Sequence, residues 1–84
     1  MVVTVRGLAV ALFNVEGTVY AMEDACRHAG ASLGGGELRG PIVRCPAHGW
    51  RYDVRTGLTS HEPDYGVASF PAQVVDGTIL VALV

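Results

Sequence analysis

Cys26-Arg27-His28 and Cys45-Pro46-Ala47-His48 are the stretches on which the reading of this chain turns. Each carries one thiol and one imidazole, sixteen residues (29–44) separate them, and together they use both cysteines of the protein. A half-site of one sulfur and one nitrogen, repeated once, supplies the four ligands that a metal centre needs. Cysteine pairing is the plain alternative, but in a reducing compartment two thiols are more often ligands than a disulfide.

The rest of the chain reads as a scaffold for that pair. Its 84 residues make one small domain, and a chain of this length buries only about 60% of its unfolded surface. Small scaffolds commonly borrow stability from a metal or a disulfide. Half of the residues are hydrophobic, so the chain is globular rather than disordered. No apolar run approaches the roughly 20 residues of a membrane span. The start Met1-Val2-Val3-Thr4-Val5-Arg6 lacks the basic region and small-residue cleavage site of a signal peptide. A soluble, cytoplasmic protein is expected. Net charge is -2, from six arginines, no lysine and eight acidic residues. The arginines are scattered along the sequence, which gives no footprint for nucleic acid or anionic lipid and leaves a protein as the expected partner.

The elements read as strands. Residues 2–5 are all β-branched, and 8–13 is a short apolar run of the kind a buried strand shows. Asn14-Val15-Glu16-Gly17 signals a turn, and 18–22 returns from it. Residues 29–36, small and glycine-rich, read as a loop; no GK[ST] follows Gly34-Gly35-Gly36, which argues for close backbone approach rather than a phosphate cradle. Residues 37–40 and 41–44 make two short strands around a Gly-Pro turn. Gly49-Trp50-Arg51-Tyr52-Asp53 alternates as a strand, Arg55-Thr56-Gly57 turns, and Leu58-Thr59 is a further short strand. Residues 60–66 read as a loop, 67–75 as a strand with Pro71 at an edge, and Asp76-Gly77 as the turn of a closing hairpin to 78–83. No stretch has a helical period of ten or more residues, so the class is all-β in one piece.

Two Cys and two His also suit structural zinc. Zinc sites of that composition, however, place the two thiols together and the two imidazoles together, whereas here each half-site mixes them as CxH and CxxH. A mixed half-site suits two irons, one taking both thiols and the other both imidazoles, because each loop then spans both metals.

With these residues the sequence resembles the Rieske iron-sulfur family, whose signature is CxH followed, after a spacer of this order, by CxxH. Cys26-Arg27-His28-Ala29-Gly30 and Cys45-Pro46-Ala47-His48-Gly49-Trp50-Arg51-Tyr52 carry the match, supported by Gly30-Ala31-Ser32-Leu33, the Asp53…Thr56-Gly57 turn and the closing Asp-Gly hairpin, so that it spans about residues 8–83. The resemblance implies an antiparallel β-sandwich or barrel with a small cluster-binding subdomain at about 25–52, and one Rieske [2Fe-2S] cluster held by Cys26, His28, Cys45 and His48. Two ferric ions, two sulfides and two thiolates sum to zero, so the oxidised protein would keep its -2 and one electron would take it to -3. Replacing two thiolates by neutral imidazoles is why such centres lie at about -150 to +300 mV rather than near -400 mV. The electron is expected on the His-bound iron, with His28 and His48 as its exit and the docking face, and a potential that falls at high pH as the imidazoles ionise.

High-potential members add a disulfide and a serine hydroxyl around the cluster. The matching positions here are Ala31, Ala47 and Trp50, while Tyr52 stands where the family places a second hydroxyl donor. A potential in the lower part of the range is the expectation. Trp50 and Tyr52 read as core or cluster-covering aromatics, His61 as a surface residue, Pro63 as part of a covering loop, and Arg27 as a docking rim. With no catalytic domain expected beyond Val84 and no membrane anchor, the resemblance implies no enzyme but a Rieske-type ferredoxin, an electron-transfer component between a flavin reductase and a ring-hydroxylating dioxygenase or related oxygenase. The rivals are a small subunit of an assimilatory nitrite reductase and a zinc-stabilised interaction domain. The short stretch before Leu8 predicts a shortened first strand and an imperfectly closed edge.

Overall fold

The computed structural model describes residues 1–26, 30–47, 49–59 and 66–82. The strands among them are β1 (Val2–Val5), β2 (Leu8–Val15), β3 (Thr18–Glu23), β4 (Glu37–Arg39), β5 (Ile42–Arg44), β6 (Arg51–Asp53), β7 (Ser69–Phe70), β8 (Ala72–Val75) and β9 (Thr78–Val81), with one 3-10 turn at Leu33–Gly35. All pair antiparallel, in sheets ordered β1-β2-β3-β7, β4-β5-β6 and β8-β9. The all-β class holds, and no helix among the described residues is long and apolar enough to cross a membrane.

Tight turns explain much of this map. Arg6-Gly7, Glu16-Gly17 and Asp76-Gly77 each take two consecutive positive φ values (52° and 81°, 51° and 87°, 50° and 79°). That pair is a type I′ turn, whose twist matches the strands of a two-residue hairpin. Each arginine, glutamate or aspartate in the left-handed region carries a local cost that glycine does not. The strand pairing on either side offsets it, and at Glu16 the Asn14 side chain helps by accepting the Gly17 N–H at 3.0 Å. Gly40, at φ 57°, supplies the same freedom before Pro41, whose φ is locked by its ring.

β2 explains why so short a chain has a core at all. Its alternate side chains face opposite ways, and both faces are covered. Ala11 and Phe13 join Met22, Cys26, Leu33, Val43, Cys45, Tyr52, Val54 and Val67 on one side. Val10 and Leu12 join Ala21 on the other, flanked by Phe70, Ala72 and Val81 of the closing hairpin. Residues 10–13 of the apolar run are therefore buried on both sides of the strand, and each fully buried Val or Leu contributes roughly 1.5–3 kcal/mol.

Several elements differ from expectation. The first strand, expected to be short, has four residues, and it pairs with β2 along its whole length, with Leu12 donating to the Met1 carbonyl at 2.8 Å. The loop at 29–36 contains the 3-10 turn. Leu58 and Thr59 are isolated bridge residues, to Gly66 and Tyr52, rather than a strand. The expected strand 67–75 is broken at Pro71, which has no N–H to give to a ladder; β7 stays on the β3 edge and β8 leaves to pair with β9. Arg27, His28, His48, His61, Pro63 and Leu83 lie outside the described residues.

Gly57 and Gly40 separate two costs of adding a side chain. At Gly57 φ is 81°, and a Cβ would fall on the Val67 carbonyl oxygen; at Gly40 φ is 57° with nothing within 4 Å. Gly40→Ala should cost about 1 kcal/mol of conformational strain, and Gly57→Ala about 3 kcal/mol because backbone must move as well. Urea unfolding midpoints of the two variants check this, and equal losses would show that no close contact exists at Gly57.

Candidate metal centre

Both cysteines are placed in one apolar cluster, Cys26 at 2% exposure and Cys45 at 1%, and they are not joined as a disulfide. The loops that carry them share a hydrogen-bond plan. The Cys26 N–H donates to the Ala31 carbonyl at 2.8 Å and the Gly30 N–H donates back to the Cys26 carbonyl at 2.6 Å. Correspondingly, the Cys45 N–H donates to Trp50 at 2.7 Å and the Gly49 N–H to Cys45 at 2.9 Å. Each loop thus closes on its own cysteine, through a glycine four residues on with φ of 70° or 76°. Loop 45–50 is moreover the connection between β5 and β6, whose last pair is Arg44 with Arg51.

The plan recurs without a thiol. Asp53 donates to Leu58 at 2.9 Å, and Gly57, again at a positive φ, donates to Asp53 at 2.7 Å. Here the side chains make an ion pair: Arg55 contacts the Asp53 carboxylate at 2.8 Å. The hydrogen bond from Arg55 holds the Asp53 carboxyl below its ordinary range, with burial opposing, and Asp53 in turn raises Arg55. The loop is thus a property of the scaffold, and the thiols are what two of its copies carry.

Tyr52 is fully buried on β6, and its hydroxyl lies 3.3 Å from Cys26 Sγ. This joins the two halves of the site, since β6 follows the second loop directly while Cys26 opens the first. Trp50 and Ala31 are half-buried against the same cluster, and Ala47 is exposed. The aromatic pair therefore packs as core, and the positions of Ala31, Ala47 and Trp50 present no sulfur or hydroxyl. Next to Cys45 a cleft of about 480 Å³ is lined by Gly36, Pro46, Ala47 and Gly49 among others. Among the described residues no three His, Cys, Asp or Glu side chains converge as for a metal ion; the two histidines of the expected set lie outside them.

Two supports were not anticipated. Asp24 accepts from Ser32 Oγ at 2.7 Å and from the Gly34 N–H at 2.6 Å, clamping the chain on either side of loop 26–31. Spacing alone offered one clue, a carboxylate two residues before the first thiol and a serine six after it. The glycines of 34–36 do mark close approach, but to protein: a Cβ at Gly34 would meet the Val2 side chain and one at Gly36 the Arg44 carbonyl. Asp24→Ala should lower stability by about 1–3 kcal/mol, the usual cost of orphaning partly buried donors. It should also accelerate hydrogen exchange at the Gly34 amide before that of β2, and an unchanged Gly34 exchange rate would rule out the clamp.

The residues fit a cluster whose thiolates face inward: two buried sulfurs share one apolar cluster, on loops closed by backbone hydrogen bonds. Comparison with known proteins agrees. The family described as Rieske [2Fe-2S] domain matches residues 1–71. The ferredoxin component of the naphthalene 1,2-dioxygenase system of Pseudomonas putida is 34% identical over 82 residues, 96% of this chain and 79% of that protein. The ferredoxin of carbazole 1,9a-dioxygenase from Nocardioides aromaticivorans IC177 superposes with a TM-score of 0.90 at 33% identity, over 98% of this chain and 82% of that one. A ferredoxin solved in complex with the reduced oxygenase of carbazole 1,9a-dioxygenase gives 0.85 at 35% identity, over 96% and 84%. This chain belongs to the Rieske [2Fe-2S] family.

Proposed function

We propose that this protein is a single-electron carrier, a Rieske-type ferredoxin that takes one electron from a flavin reductase in the cytoplasm and delivers it to the terminal component of a ring-hydroxylating oxygenase. The observation that carries the reading is the pair of matched, self-closed loops bearing buried thiols, in a chain similar over nearly its whole length to ferredoxin components of dioxygenase systems. Cys26 and Cys45 would hold one iron and His28 and His48 the other. When bound, the cluster supplies reversible uptake of one electron.

The chain's own residues set how readily that happens. A thiolate at Cys26 can only accept a hydrogen bond, so the Tyr52 hydroxyl donates to it and draws off negative charge. Half-buried Ala31 packs against the cluster with no side-chain donor, and half-buried Trp50 packs there with no hydroxyl. With one hydroxyl donor in place and no thiol or hydroxyl at positions 31, 47 and 50, the midpoint falls in the lower part of the family's range. In this reading His28 and His48 are the exit for the electron and the site at which partners dock, with Arg27, next to His28 in sequence, as part of the rim.

The decisive experiment is analysis of the purified protein for two irons and two sulfides per chain, with visible absorption and, after reduction, EPR of low average g. A colourless zinc protein would end the carrier reading. Tyr52→Phe removes the donor while keeping the ring. A differential hydrogen bond of about 1 kcal/mol corresponds to roughly 40 mV for one electron, so the midpoint should drop by that order; no shift would mean the hydroxyl does not reach the sulfur in solution. The wild-type midpoint itself should lie below about +100 mV.

A further inference from the structure

The outer face of the β4-β5-β6 sheet carries charge that folding does not use. Leu38, Val43 and Tyr52 face the core, and their neighbours in the alternation, Glu37, Arg39, Ile42, Arg44, Arg51 and Asp53, face outward. Glu37 is engaged by Arg39 at 2.6 Å and Asp53 by Arg55 at 2.8 Å. Arg44 and Arg51 remain. They are direct register partners, both exposed, and among the described residues neither forms an ion pair. Like charges set opposite each other on antiparallel strands oppose folding, and Glu37, the register partner of Arg44 on β4, is held by Arg39 instead.

Their position gives them a use. Arg44 precedes Cys45, Arg51 follows Trp50, and the two stand at the base of loop 45–50. The Arg44 guanidinium lies against Gly49: a Cβ there would be 3.1 Å from both Nε and Nη2. Together with Arg39 they line a shallow cleft of about 230 Å³. Arginines scattered through the sequence are thus gathered by β-pairing. This face holds three arginines, at 39, 44 and 51, against two carboxylates in a chain of net -2, which leaves the remainder of the molecule at -3. The charge is polarised, with its positive end on the sheet that carries the second thiol loop.

We propose that Arg44 and Arg51 form a docking patch for a carboxylate-rich surface on a protein redox partner, orienting that partner toward loop 45–50. Guanidinium groups recognise carboxylates through paired N–H donors. An exposed pair on a flat sheet face leaves a small anion in water, whereas a protein surface covers it. The proposal rests on the carrier reading above and adds the chemistry of the partner's surface.

The test uses the reduced holoprotein and three variants that each remove one positive charge: R44Q, R51Q and, as a control in the distant β1-β2 turn, R6Q. Oxidation by the oxygenase component that accepts its electrons is followed by stopped flow across a range of salt. The second-order rate constant should fall about tenfold for R44Q and R51Q at about 20 mM salt, change less than about twofold for R6Q, and converge for all four proteins near 0.5 M. Absorption spectrum and midpoint should match wild type. Equal losses in all three variants, a loss that salt does not erase, or a midpoint shift large enough to explain the rate would overturn the patch. Ferricyanide, a small trianion, supplies the second arm. Slowing with ferricyanide alone, at unchanged oxygenase rates, assigns the pair to small anions and overturns docking. If wild type passes no electron to the oxygenase, the carrier reading fails and takes the docking patch with it, whereas a wild type that does pass electrons, at a rate R44Q and R51Q leave unchanged, overturns the patch alone.

Discussion

Each sulfur-bearing loop is closed by two backbone hydrogen bonds to its own cysteine, and the arrangement of the site depends on that closure. A ligand loop held by its side chains would have to give them up on binding metal. A loop held by its backbone keeps every side chain available, so the ordering cost of the site is met during folding rather than at metal binding. Glycine at the fourth following position is the condition, because the return hydrogen bond requires a left-handed residue there. The third copy at 53–58 takes the same backbone closure around an ion pair, with no thiol in it.

Such loops still need a rigid wall to hold both sulfurs at one point, and a chain of this length has little core to offer. The solution is a hairpin used on both faces. β2 and β3 form the floor of the sulfur-bearing cluster on one side and of the cluster with the closing hairpin on the other. Removing apolar volume on either side therefore weakens the support of the other. Cys26 and Cys45 are themselves members of the larger cluster, so core and site are one structure. Tyr52 ties them further, being at once the largest fully buried side chain and the hydroxyl beside Cys26 Sγ.

Much of this was legible in the residues. Asp76-Gly77, Glu16-Gly17 and Gly40-Pro41 announce their hairpins because only a few residue pairs tolerate those backbone angles. The run 8–13 announced a buried strand, though not that its two faces serve different clusters. Order of sulfur and nitrogen pointed to two irons. What was hidden depends on distance in space. Asp24 and Ser32 read as loop residues until the fold sets them 2.7 Å apart. The Asp53…Thr56-Gly57 turn was legible, but its likeness to the thiol loops was hidden because its aspartate replaces the cysteine that makes the other two conspicuous. Arginines at 39, 44 and 51 look scattered, since only the β4-β5-β6 register shows that intervals of five and seven residues land on one face.

Donors and charges near the sulfurs act on different quantities. A hydroxyl in contact, such as Tyr52, interacts with one sulfur at 3.3 Å in a buried setting, where water does not compete. Arg44 and Arg51 are exposed and screened, so their fields at the sulfurs are weak while their fields in solvent extend to about a Debye length, some 10 Å at 0.1 M salt. Buried donors therefore govern the energy of the electron, and exposed arginines govern the encounter through which it leaves. A carrier needs the two adjusted separately, because its potential is tied to those of its donor and acceptor while its surface must suit their shapes. Placing Tyr52 on the inner face of β6 and Arg51 on the outer face, adjacent in sequence, achieves that separation by strand alternation alone.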